Sequence, residues 1–94
     1  MSQPDSITAT LTERGARYGL FKDHAEVAQC LKATIKSYMA EKWNDLEDDQ
    51  REALEMICHK IARIVNGDPH YADSWVDIAG YAKLVSDRLE GHAR

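Results

Sequence analysis

Several residue types are scarce in this 94-residue chain, and each scarcity excludes something. There are two cysteines, two prolines and one phenylalanine. Cys30 and Cys58 are too few and too far apart for a disulfide scaffold, and none of the four histidines stands at zinc-ligand spacing from them. Both fall on apolar helical stripes, which predicts reduced, buried thiols. Positive charge is also short: 12 Lys and Arg against 16 Asp and Glu give a net charge of −4. The basic residues are scattered, so no field exists to hold a DNA or RNA backbone. No apolar run nears the roughly 20 residues a membrane span needs. Met1 to Thr10 lacks a secretory leader's apolar core. These absences lead us to expect a soluble protein of the cytoplasm, one that binds neither membrane nor nucleic-acid backbone. P-loop, nucleophile-elbow and dinucleotide fingerprints are missing as well.

What is present is helical periodicity, and the fold class it predicts is all-α. The segment 1–12 is small and polar and reads as a loosely packed arm, entering a short helix around Thr8 to Arg17. Glu13 to Phe21, punctuated by Gly15 and Gly19, reads as a structured loop. Asp23 and Glu26 then form a capping-box pattern, and Val27, Leu31, Ile35 and Met39 recur every four residues. This predicts a helix over about 24–40, broken at Trp43-Asn-Asp45. A second helix, about 47–65, carries the stripe Leu54, Ile57, Cys58, Ile61, Ile64 and Val65. It opens on acidic residues, as its dipole favours, and closes at Asn66-Gly67. A third, about 72–90, carries Trp75, Ile78, Ala79, Ala82, Val85 and Leu89, with Trp75 read as core. Three helices with short connections predict one domain, an antiparallel bundle. A chain this short buries only about 60–65% of its unfolded surface, so we expect a homo-oligomer to complete the core.

Two acidic pairs stand out among the polar residues. Glu52 and Glu55 are three apart on the second helix, and Asp73 and Asp77 are four apart on the third. Each pair shares a helix face. Carboxylates on neighbouring helices are the hard oxygen ligands that Mg²⁺, or Mn²⁺ in its place, requires. Lys60 and Arg63 could neutralise phosphate oxygens nearby. The plain alternative is a solvated face laced by i,i+3 and i,i+4 pairs, with Asp73 serving the helix start. Against that, the Asp73 face also carries Val76, Gly80, Tyr81 and Leu84, and a helix that is apolar on two sides is usually packed on two sides.

The run from Glu52 to Tyr81, together with Glu13-Arg-Gly-Ala-Arg-Tyr-Gly-Leu-Phe21, resembles a phage and prophage protein family of unknown function, over about residues 12–91. The layout Lys-x-x-Arg followed by Asp-Ser-x-x-Asp-x-x-x-Tyr is similar to phage nucleotide-modification-associated domains. More remotely it resembles the MazG-type all-α nucleotide pyrophosphohydrolases. That resemblance implies a Mg²⁺-dependent, oligomeric enzyme that cleaves nucleoside triphosphates. Glu52, Glu55, Asp73 and Asp77 would be its metal ligands, and Lys60, Arg63 and Tyr81 its phosphate or nucleotide contacts. The sequence departs from the enzymes' motifs at Arg51, where a Glu is expected, and in the spacing from Asp73 to Asp77. A degenerate relative would bind a nucleotide without cleaving it. Two other readings stay open. One is a non-catalytic phage accessory or anti-defence protein that binds a nucleotide signal or a host protein. The other is a plain oligomerisation module.

Overall fold

Gly19 adopts a φ of 78°, a left-handed conformation that costs glycine little, and at this residue the first helix gives way to the second. The computed structural model describes residues 6–94. Five helices follow one another: α1 (Ser6–Tyr18), α2 (Phe21–Tyr38), α3 (Ala40–Asp45), α4 (Asp48–Asn66) and α5 (Ala72–Leu89). The described residues contain no strand, and none of their helices is long and apolar enough to cross a membrane.

The all-α expectation holds, but the element count does not. Part of the expected arm, and most of the expected loop at 13–21, is α1; residues 1–5 lie outside the described residues. Gly15 sits inside α1 and interrupts nothing, since one glycine costs a helix only about 1 kcal/mol. The second helix begins at Phe21, three residues before the expected start, so Asp23 lies in the first turn and not at a cap. Trp43-Asn-Asp45 is helical, forming the end of α3. The bounds of α4 and α5 fall within one residue of expectation. A capping box opens α4, with the Glu47 N–H donating to Gln50 Oε1 at 2.9 Å.

α4 is the middle of the molecule, and α2 and α5 pack mainly against it, not against each other. Cross-helix pairs give the directions. Arg88 at the end of α5 forks onto Asp49 at the start of α4 (2.5 and 2.7 Å), and Lys60 meets Asp77 at 3.0 Å, so α4 and α5 run antiparallel. Lys36 meets Glu55 at 3.3 Å while His24 packs on His59, so α2 and α4 are antiparallel too. Neighbouring long helices are thus antiparallel as expected from sequence, but α2 and α5 flank α4 in an open layer and do not join it in a three-helix bundle. The buried apolar residues of this layer are small: Ala28, Ala53, Cys58, Ala62 and Ile64. No large side chain among the described residues is fully buried.

Three expectations about the core need correction. Trp75 is 55% exposed, its indole N–H donating to the Pro69 carbonyl at 2.9 Å. Cys30 is exposed; only Cys58 is buried, and burial pushes its thiol pKa up. The face of α5 that packs on α4 is Ser74, Ile78, Tyr81, Val85 and Arg88. At about 100° per residue, that face is rotated by roughly 60° from the predicted apolar stripe. Ile78 and Val85 belong to both, whereas Ala79, Ala82 and Leu89 face outward.

Candidate anion-binding crevice

The turn between α1 and α2 is held against the end of α4 by main-chain contact. A Cβ on Gly19 would lie 2.3 Å from the Asn66 carbonyl oxygen, and one on Gly67 would lie 2.1 Å from the Arg17 carbonyl oxygen. Only glycine at both positions lets the segments come this close. The Asn66 side-chain amide donates to the Tyr18 and Leu20 carbonyls at 2.8 and 3.1 Å, and the Asp68 N–H donates to the Arg17 carbonyl at 2.6 Å. These bonds satisfy carbonyls that the end of α1 leaves without helical partners. Tyr71, at the start of α5, closes the corner. Its ring meets Tyr18 edge-on at 6.2 Å and lies 4.2 Å beneath the Arg17 guanidinium.

The latched turn encloses a crevice of about 380 Å³ against α4. Arg14, Tyr18, Phe21, His24 and Arg63 supply its chemistry, and no carboxylate among the described residues lines it. The Arg63 guanidinium stands 4.3 Å over the Tyr18 ring, a cation–π contact. Its Nε is buried and has no hydrogen-bond partner among the described residues. A buried unsatisfied donor of this kind costs about 1–3 kcal/mol. His24 is 3% exposed. It meets Phe21 edge-on at 5.8 Å and His59 at 4.5 Å, with its Nε2 3.2 Å from the His59 carbonyl oxygen. Burial lowers the pKa of both imidazoles, and for His59, with Arg63 adding its charge, it does so to about 4. Both rings are therefore neutral at pH 7. The fixed charge of the crevice is cationic, in a chain of net charge −4. Guanidinium groups beside exposed aromatic faces suit an anion attached to a flat, apolar group.

The residues expected to hold a metal are dispersed. Glu55 on α4 faces α2 and pairs with Lys36. Asp77 faces α4 and pairs with Lys60, whose side chain is nearly buried. Asp73 accepts from the Tyr71 hydroxyl at 3.0 Å, which raises the tyrosine's pKa. Glu52 lines a hollow with Asp49, Tyr81 and Arg88, while Asp77 lines the adjoining one, and Tyr81, Leu84 and Arg94 stand between them. No group of three or more His, Cys, Asp or Glu able to hold a metal ion occurs among the described residues. The four carboxylates thus do not fit one Mg²⁺ or Mn²⁺ within a single chain. Lys60 and Arg63, adjacent in the expected phosphate set, serve different places: Lys60 is neutralised by Asp77, and Arg63 lines the crevice.

Sequence reasoning missed Arg14, Tyr18, Phe21 and His24 as crevice residues. The available signal was the Glu13–Phe21 segment, read there as a loop. Its Gly19 marks the docking of that segment on α4, and its Arg14, Tyr18 and Phe21 line what the docking encloses. No curated protein and no solved structure matches this chain. The segment that builds the crevice and the helices that receive it lie within one family match, over residues 5–89. The chain belongs to the family described as Domain of unknown function (DUF6378).

Proposed function

We propose that this protein binds a nucleotide, or a closely similar phosphorylated aromatic metabolite, in the α1–α2–α4 crevice, and that binding needs no divalent metal. The observation that carries this reading is the buried Arg63 Nε, a donor of a charged group with no partner among the described residues, in a crevice that none of their carboxylates lines. A phosphate oxygen would satisfy it, with Arg14 as a second cationic contact. The exposed Phe21 ring offers a face for a base. The volume lies in the range of small-ligand pockets, about 300–1,000 Å³. Dispersal of the carboxylates favours binding without cleavage, as in a degenerate relative of the pyrophosphohydrolases. It equally suits the accessory-protein reading, in which a nucleotide is sensed or sequestered.

The test is thermal unfolding with nucleoside mono-, di- and triphosphates, each with and without Mg²⁺ or Mn²⁺. A ligand at about 100 times its Kd adds roughly 2.7 kcal/mol of stability, which a domain of this size registers as a rise of about 10 °C or more in Tm. The rise should appear without metal and vanish in Arg63→Gln. A rise that requires Mg²⁺ and is lost in Asp77→Asn but kept in Arg63→Gln would replace this reading with the metal-dependent one. No rise with any nucleotide would sink both.

A further inference from the structure

Leu54, Ile61 and Val65 lie on the face of α4 between the faces taken by α2 and α5, and all three are exposed, Val65 by 65%. On α5, Trp75, Ala82 and Leu89 occupy a flank beside the face packed on α4, and they too are exposed. The antiparallel pairing of α4 and α5 turns this flank to the same side of the layer as Leu54, Ile61 and Val65. No charged side chain interrupts the strip on α4 from Leu54 to Val65, or on α5 from Trp75 to Leu89. Single exposed leucines are ordinary, but a contiguous apolar strip on two packed helices is not. These are largely the residues whose periodicity predicted a core.

We infer that this strip is the interface of a two-fold homodimer, in which α4 and α5 of one chain pack on α4 and α5 of a second copy as a four-helix core. Three observations select a second copy as the occupant. A single layer of helices has nothing on its other side to bury an apolar face, and a second such layer supplies it. A strip without charge offers nothing to an acidic or basic partner, whereas two copies present matching strips, as an isologous interface requires. The chain as a whole also exposes more area than a folded monomer of its mass, enough to give up what a stable dimer buries. The chain exposes 6934 Å², against about 5,500 Å² for a folded monomer of its mass, an excess of about 1,400 Å². A standard stable interface takes about 800 Å² from each partner. The crevice lies on other faces of α1, α2 and α4, so dimerisation leaves it open.

Sedimentation equilibrium of the full chain, with Val65→Asp and Trp75→Glu, tests this. Both side chains are more than half exposed in the monomer, so each variant should keep the helical circular dichroism of the wild type. The expected result is a wild-type mass twice that of one chain, and a mass of one chain for each variant. Tryptophan emission in a Trp43→Phe background gives a second readout: Trp75 should shift to the red on dilution through the dimer dissociation. A wild type that sediments at the mass of one chain overturns the inference. So does a dimer whose mass and Trp75 emission are unchanged by Val65→Asp.

Discussion

Replacing Gly67 by alanine should unlatch the crevice, and the size of the effect follows from the geometry. The added Cβ would stand 2.1 Å from the Arg17 carbonyl oxygen and 2.3 Å from the Tyr18 Cα, where ordinary contact begins at 3.4 Å. Both neighbours are main-chain atoms, so no side chain can swing aside. The end of α1 must retreat by about 1 Å, at an overpacking cost of about 1–3 kcal/mol. That movement also breaks the hydrogen bond from Asp68 N–H to the Arg17 carbonyl, worth about 1 kcal/mol. A loss of roughly 2–4 kcal/mol lowers Tm by about 10–20 °C in a domain of this size. Thermal unfolding followed by far-UV circular dichroism reads it. Gly15→Ala is the internal control. Nothing lies within 4 Å of its added Cβ, so helix propensity alone should raise stability, by about 0.5–1 kcal/mol. If Gly67→Ala melts with the wild type, the close docking of α1 on α4 is refuted. If Gly15→Ala falls as far as Gly67→Ala, the loss reflects glycine removal in general.

Asn66→Ala removes the two hydrogen bonds to the Tyr18 and Leu20 carbonyls. It should cost about 1–3 kcal/mol and speed proteolysis at the α1–α2 turn; an unchanged cleavage rate would show that the latch does not hold that turn. Acidification should destabilise the fold through His59. Its folded pKa of about 4 lies below the unfolded 6.5, so the unfolded chain takes up the proton first. The stabilisation is full above pH 6.5 and is lost as pH falls toward 4. At full strength such a shift is worth about 3 kcal/mol, and solvent at the half-buried ring reduces this to about 1–2 kcal/mol. His59→Gln should flatten denaturant midpoints across that window, and a profile parallel to wild type would exclude His59 as the source. Arg88→Ala removes the fork onto Asp49, the hydrogen bond that holds the Asp49 carboxyl below the usual range. It should lower the denaturant midpoint at low salt, and a loss equally large in high salt would argue against an ionic origin.

Much of the secondary structure was legible because its causes are local. The acidic start of α4, its capping box with Gln50, and the Asn66-Gly67 end are short-range chemistry, and the bounds of α4 and α5 followed. α1 was legible in part: a short helix around Thr8 to Arg17 was expected, and α1 spans Ser6–Tyr18, but Gly15 resembles a break although the helix tolerates it, so the segment from Glu13 was also read as a loop. α3 was lost, since six residues give periodicity nothing to act on. The expected metal site mixed side chains that share a helix face with side chains that share a place. Glu52 and Glu55 are neighbours in sequence, yet Glu55 turns to Lys36 on α2 while Glu52 lines the hollow beside Tyr81.

The sequence by itself determined α4 and α5, their ends and the apolar stripes of the long helices, because propensity, capping and periodicity act over one or two turns. It also determined the scarcity of fixed positive charge. Only the tertiary structure decided which stripes meet. It set α4 between α2 and α5 and rotated the packed face of α5 by roughly 60° from its apolar stripe, leaving Trp75 and Leu89 outside. It also brought Arg14 and Arg63 to one crevice, though 48 residues separate Tyr18 from Asn66, whose hydrogen bond builds that corner. The physical reason is that a helical stripe specifies a direction around its own axis. Which neighbour lies in that direction depends on close approaches such as those at Gly19 and Gly67, far apart in the chain and set only when the helices pack.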